Sequence, residues 1–124
     1  MLDAEKQYID KLIENRKTIY NEELLLYLIQ HKFPIAKQVF AKSKQELVIN
    51  AIIEYLGQGM PFFDLIDEGN LGLNRGIDLL TKETKIKNLD EMLRKNIQET
   101  VEEAIAERRN HISNTIIPNK NQDI

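Results

Sequence analysis

One twenty-residue stretch constrains the fold of this chain more than any other, because it joins a regular apolar stripe to three glycines. Residues 61–80 read PFFDLIDEGNLGLNRGIDLL. On a helix of about 3.6 residues per turn, its apolar side chains recur at the i, i+3, i+4 spacing of a buried face. They are Phe62, Leu65, Ile66, Leu73, Ile77 and Leu80. The opposite face carries Leu71 among polar residues, namely Asp64, Asp67, Glu68, Asn74, Arg75 and Asp78.

The glycines of this stretch leave two interpretations open. Each glycine inside a helix costs roughly 1 kcal/mol relative to alanine, so Gly69, Gly72 and Gly76 together would strongly destabilise an isolated helix. Gly69 and Gly76 fall on the apolar stripe, where the missing side chains would let a second helix approach closely. Alternatively, Gly69-Asn70 forms a turn between two short helices. The uninterrupted stripe favours one helix.

The rest of the chain predicts an all-α fold, a single-domain helical bundle. A chain of 124 residues is one domain's worth. We expect the domain to cover residues 1–112 and residues 113–124 to be a flexible tail. The predicted helices are 3–16, 21–31, 35–56 with a weak point near Lys42-Ser43, 61–80, and 88 to about 111. Four boundary residues support these limits: Asn21 and Asn88 as N-caps, Pro34 in a first turn, and Gly57 as a C-cap.

The apolar stripes of the flanking helices complete the predicted core. The last helix has the longest stripe, and the helix predicted over 35–56 has a second one. The stripe of the last helix consists of Leu89, Met92, Leu93, Ile97, Thr100, Val101, Ala104 and Ile105. The stripe over 35–56 includes Ile35, Val39, Phe40, Leu47, Val48, Ala51, Ile52 and Tyr55.

Composition excludes several classes of protein. The chain has no cysteine, which rules out disulfides, thiol chemistry and cysteine-based zinc sites. No apolar run approaches the roughly 18 residues of a membrane span, and the amino terminus lacks the order of a secretory signal. We therefore expect a cytoplasmic protein. A net charge of −3 does not indicate nucleic-acid binding by the molecule as a whole.

Catalytic patterns are absent from the sequence. His31 and His111 lie near ends of predicted helices and form no HExxH-type motif. Ser43 and Ser113 have no neighbouring base and no G-x-S-x-G context. The glycines of residues 69–76 follow no strand, as a phosphate-binding loop would require. We expect no enzyme activity, no cofactor and no metal site.

The stretch GMPFFDLIDEGNLGL, residues 59–73, resembles a signature string of housekeeping-type bacterial sigma factors, P-F-x-D-L-I-x-E-G-N-x-G-L. In that family the string lies in region two, an all-helical domain, and its polar face binds a coiled coil in the clamp of the RNA polymerase β′ subunit. The resemblance thus implies polymerase contacts at matching positions Asp64, Glu68 and Asn70. Two altered positions belong to the same face: Asp67, where glutamine is usual, and Asn74, where methionine or isoleucine is usual. Leu71 joins the predicted polymerase-binding residues because it lies outward among these polar residues, where it would supply an apolar contact.

The downstream helix departs from the family pattern. In sigma factors it carries the aromatic residues that trap flipped promoter bases, and base stacking contributes about 1–3 kcal/mol per base. This chain has no tryptophan and no aromatic residue after Phe63. From Lys82 to Arg109 it carries seven basic and seven acidic residues. The best-placed basic residues for weak DNA binding are Arg94, Lys95, Arg108 and Arg109.

The resemblance therefore supports two hypotheses of different classes. The first is a partial or accessory sigma subunit that docks on the polymerase clamp in transcription initiation, with weak or no promoter melting of its own. A second chain carrying a helix-turn-helix could supply promoter recognition. The alternative is a sigma-like fold reused as an adaptor, competitor or other regulatory module that binds neither polymerase nor DNA.

Overall fold

A computed structural model describes residues 3–7, 22–82 and 86–116 of the chain, and every regular element in these ranges is helical. Residues 3–7 are helical, and five longer helices follow. They are α1 (Glu22–Gln30), α2 (Pro34–Ser43), α3 (Gln45–Ile52), α4 (Phe62–Leu80) and α5 (Leu89–Ile116), with a 3₁₀ turn over Ile53–Tyr55 between α3 and α4. The predicted all-α fold is confirmed. Of the helix predicted over 3–16, residues 8–16 lie outside the described ranges.

Helix α4 is the centre of the bundle, and it is continuous from Phe62 to Leu80 as predicted. It packs most extensively against α5 and less extensively against α3. Helices α1 and α2 make smaller contacts with it. The apolar stripe read from the sequence is buried along its whole length. The largest fully buried side chains join α4 to its neighbours: Ile29, Phe40, Val48, Ile52, Leu65, Leu73, Ile77, Leu93, Ile97 and Val101. The helix needs these contacts because its glycines weaken it in isolation.

The closest approach between α4 and α5 occurs at Gly72. A Cβ atom placed there would lie 2.6 Å from both the Asn96 carbonyl oxygen and the Ile97 Cα atom, which are backbone atoms of α5. The expectation of backbone contact at Gly69 and Gly76 was wrong in position, because these glycines face side chains instead. A Cβ at Gly69 would meet Val48 of α3 at 2.9 Å, and one at Gly76 would meet Leu93 Cδ2 at 2.8 Å. The crossing point depends on how α5 lies over α4, which local periodicity does not specify.

The helix predicted over 35–56 is divided at Lys44, which directly follows the weak point noted in the sequence at Lys42-Ser43. Lys44 leaves the helical conformation (φ −103°, ψ 14°), and its N–H bonds the Ala41 carbonyl. Side chains compete for the neighbouring carbonyls: Ser43 Oγ donates to Phe40 O at 2.6 Å, and Gln45 Nε2 donates to Ala41 O at 3.0 Å. Such local bonds favour a break in a helix.

The Lys44 ammonium also ties three helices together at this break. It lies 2.6 Å from a Glu22 carboxylate oxygen of α1 and 2.8 Å from Asp90 Oδ1 of α5. Burial alone would lower the pKa of Lys44, but the two carboxylates outweigh it and raise that pKa above its ordinary value. The break therefore has a tertiary function in joining α1, α2 and α5.

Several predicted boundaries agree with the structure and others do not. Pro34 opens α2, Gly57 has the positive φ (83°) expected after a helix end, and the Asn88 carbonyl accepts the first backbone bond of α5. Helix α5 runs to Ile116, beyond its expected end near His111 and into the predicted tail. Ile35 was expected in the core but is 62% exposed.

No described helix is long and apolar enough to cross a membrane.

The contact at Gly72 gives a test of the packing. We expect Gly72→Ala to lower the free energy of unfolding by about 2 kcal/mol or more, because the new methyl must displace helix backbone and this outweighs the roughly 1 kcal/mol gained in helix propensity. Gly76→Ala is the matched control, since its methyl meets only side-chain atoms that can move. Urea unfolding followed by circular dichroism measures both. Equal stability of the two variants would contradict the assigned crossing point.

Candidate functional site

The outward face of α4 presents an acidic band with one apolar residue at its centre. Asp64, Asp67 and Asn74 are exposed, Glu68 is half-buried, and the Leu71 side chain is 44% exposed. These side chains lie outward because the stripe on the other side of α4 is anchored in the core. An exposed leucine surrounded by carboxylates is suited to a partner that offers both an apolar contact and positive charge. We refer to these five residues as the acidic band.

Asn70, the sixth residue implied by the resemblance, lies on the flank of α4 and is half-buried. Its Oδ1 accepts a hydrogen bond from Gln45 Nε2 at 2.6 Å, and its Nδ2 donates to the Ile66 carbonyl at 3.1 Å. Both polar atoms of the amide thus have partners within the protein. Asn70 connects α4 to the start of α3 and borders the acidic band. Gln45 had not been identified from the sequence, since a contact across 25 positions leaves no local pattern.

Two arginines take part in polar contacts between α4 and α5, and one of these contacts involves the acidic band. Arg108 Nη1 lies 3.3 Å from Asp64 Oδ2, and Arg75 Nη1 lies 3.6 Å from Glu103 Oε2 and donates to Thr100 Oγ1 at 3.1 Å. The side chains of Asp64 and Arg108 are 52% and 41% exposed. Ion pairs this accessible to water contribute at most about 1 kcal/mol. Asp64 therefore remains available to an external cation at low cost.

The acidic surface continues from α4 onto α5. A shallow groove between the two helices is lined by Glu68, Leu71, Arg75, Thr100, Glu103, Ala104 and Glu107. Three of these are carboxylates, and Arg75 is the one cation among them. Helix α5 thus adds negative charge beside the acidic band. A polyanion such as DNA would be repelled along this edge.

The four basic residues considered for DNA contact form two separate pairs on α5, and acids lie close to both pairs. About 20 Å of helix separates Arg94 and Lys95 from Arg108 and Arg109. Arg108 is paired with Asp64, and Lys95 Nζ lies 4.0 Å from Glu99 one turn later. Arg94 and Lys95 line a groove together with the acids Glu91, Glu99 and Glu102.

Curated proteins similar to this chain are RNA polymerase sigma factors. SigA of Lactococcus lactis subsp. cremoris is 46% identical over 43 residues, which are 35% of this chain and 12% of that protein. RpoD of Helicobacter pylori strain 26695 is 40% identical over 52 residues, which are 42% of this chain and 8% of that protein. No family model matches the chain.

The similarity is therefore partial: the chain spans about a tenth of the length of the curated relatives it matches. It supports the sigma-like resemblance noted from residues 59–73, and the helical fold is consistent with it. The identities do not extend over most of this chain.

The ion pair between Asp64 and Arg108 gives a test of how accessible the acidic band is. We expect a double-mutant cycle of Asp64→Ala and Arg108→Ala to give a coupling energy below about 1 kcal/mol, decreasing further in high salt, because both side chains are about half exposed. Urea unfolding of the four proteins measures the coupling. A value above about 2 kcal/mol would mean that Asp64 is committed to the fold.

Proposed function

We propose that this protein is a sigma-like transcription protein that docks on RNA polymerase through the acidic band of α4. It acts in initiation as a partial or accessory sigma subunit. The observation that supports this most directly is the position of the motif residues. Asp64 and Glu68 match the sigma signature, and both lie on the outward side of α4, next to the exposed Leu71.

The partner surface in this proposal is the coiled coil of the β′ clamp. Carboxylates on the acidic band would orient a basic partner and accelerate its association. Leu71 would supply the desolvated apolar contact that contributes most of the affinity at the centre of such a surface. The groove acids Glu103 and Glu107 would extend the same charge complementarity onto α5.

The protein would depend on another chain for promoter recognition. Helix α5 carries no aromatic side chain for stacking flipped bases, and its edge beside α4 is acidic. Arg94, Lys95, Arg108 and Arg109 would contribute at most weak, non-specific contacts. A companion protein with a helix-turn-helix would complete a sigma factor divided over two chains. In this proposal the protein has no enzyme activity of its own.

Binding to purified RNA polymerase core tests the proposal. We expect the wild-type protein to bind, and Asp64→Lys and Glu68→Lys each to weaken binding at least tenfold, because each converts an attraction into a repulsion. Leu71→Ala should weaken binding through loss of apolar contact. Fluorescence anisotropy of the labelled protein titrated with polymerase gives the affinities.

The matched control for these reversals is Glu99→Lys. Glu99 is an exposed acid on α5 that lines a different groove with Lys95, and its reversal should leave polymerase affinity within about twofold. Absence of wild-type binding would eliminate polymerase docking and leave the adaptor hypothesis. Binding that is unaffected by Asp64→Lys and Glu68→Lys would show that a different face makes the contact.

A further inference from the structure

A second surface lies where α1 turns into α2, and its amino-acid composition differs sharply from the rest of the chain. Residues 24–45 contain four lysines and no aspartate or glutamate. The remaining residues carry 13 lysines and arginines against 20 acids. The stretch between Glu23 and Glu46 therefore carries only positive charges in an otherwise acidic sequence. The surface is about 25 Å along the α4 axis from Asp64, since its groove reaches α4 at Thr81.

The same place exposes a run of apolar side chains. Phe33, Pro34 and Ile35 are consecutive and all exposed, with Phe33 at 51% and Ile35 at 62%. A run of three exposed apolar residues is uncommon on a soluble domain unless it has a function. A groove of about 530 Å³ begins at this run, lined by Lys32, Phe33, Pro34, Lys37, Gln38 and Thr81. We call these residues together with Ile35 the α1–α2 patch.

The backbone at Lys32 adopts a conformation that is unfavourable for a residue with a side chain. Lys32 has φ +63°, in the left-handed region, and it ends α1 in a Schellman motif. In that motif the Lys32 N–H donates to the Ile29 carbonyl at 3.0 Å and the Phe33 N–H donates to the Leu28 carbonyl at 3.0 Å. Glycine is the residue that this position favours. The turn directs the chain so that Phe33 follows on the surface.

Part of the positive charge in this region remains without a counter-ion. Lys37 Nζ lies 3.0 Å from Asp78 Oδ1, and Lys44 is held by two carboxylates, so these two are largely neutralised. Lys32 and Lys42 form no ion pair with the residues that the structure describes. An occupant of the patch therefore meets an apolar centre and a lysine at its edge. Extensive lysine neutralisation disfavours a polyanion such as DNA, whose binding depends on many unpaired cations.

We propose that the α1–α2 patch docks a short acidic segment of another protein, with apolar side chains seated on Phe33 and Ile35 and carboxylates facing Lys32. The charge complementarity selects the acidic partner, and the exposed apolar run contributes the affinity. The site is separate from the acidic band and does not depend on polymerase docking. The protein would thereby connect two partners of opposite charge on opposite parts of one bundle.

The test uses defined probes with the full chain. One probe is a fluorescein-labelled amphipathic helix of about four turns, with leucine at i, i+3, i+4 spacing and glutamate elsewhere. The second has glutamine in place of every glutamate, because a lysine-rich helix would be expected to bind the acidic band, and the third is single-stranded oligothymidine. We expect saturable anisotropy binding of the acidic helix, two- to fivefold weaker binding of the glutamine helix, and at least tenfold weaker binding of oligothymidine.

Matched variants locate the binding. Ile35→Ser should weaken the acidic helix about tenfold, whereas Ile53→Ser, at another exposed isoleucine outside the patch, should change it less than twofold. Lys32→Gly should raise the urea midpoint of unfolding yet weaken the acidic helix roughly two- to fivefold. A protein more stable than wild type with reduced binding cannot be explained by misfolding.

Other outcomes would overturn the proposal. They are equal binding of the acidic and glutamine helices, no binding of any probe, or preferential binding of oligothymidine that Ile35→Ser abolishes. Sedimentation of the protein alone provides a further check. Concentration-dependent dimerisation that Ile35→Ser removes would show that a second copy of the chain covers the patch.

Discussion

The backbone contact between α4 and α5 at Gly72 is the constraint on which the rest of the structure depends. Because Gly72 has no side chain, the Asn96 carbonyl and the Ile97 Cα atom of α5 can approach the backbone of α4 closely. A Cβ atom at this position would clash with both. This approach lets Leu65 and Leu73 on one helix and Ile97 and Val101 on the other bury fully. The packing outweighs the low helix propensity of the glycines, so that α4 is one continuous helix.

Rigidity of α4 determines what its outer face can do. A continuous helix holds Asp64, Glu68 and Leu71 in a fixed relation, one turn apart, which a pair of short helices joined at Gly69 would not. The half-exposed pair between Asp64 and Arg108 joins this face to α5 without withdrawing the carboxylate from solvent. The surface is thus ordered before a partner arrives, which reduces the entropic cost of binding.

Charge is distributed unevenly over the bundle. The acidic band and the α5 acids Glu103 and Glu107 occupy one region, while Lys32 and Lys37 lie toward the other end of α4. Helix α5 is bordered by carboxylates and has no phenylalanine, tyrosine or tryptophan. Neither feature favours contact between this edge and nucleic acid.

The sequence alone determined the helical fold, the extent of α4 and its buried stripe, since these follow from local periodicity. It also predicted the burial of Leu93, Ile97 and Val101, and the end signals at Pro34 and Gly57, for the same reason. The outward acids were identified by position on a helix and by a short motif. These acids face solvent together because the apolar stripe on the opposite side of the same helix is buried.

The tertiary structure decided the features that depend on residues distant in sequence. It placed the closest helix contact at Gly72 instead of Gly69 and Gly76, broke the predicted helix at Lys44, and turned Ile35 outward. It also paired Asn70 with Gln45 and Asp64 with Arg108. Periodicity specifies which side of a helix is apolar, but the crossing of two helices and the partner of a polar side chain depend on the relative placement of whole elements. That placement is set by the packing of the complete core, which no local stretch of sequence encodes.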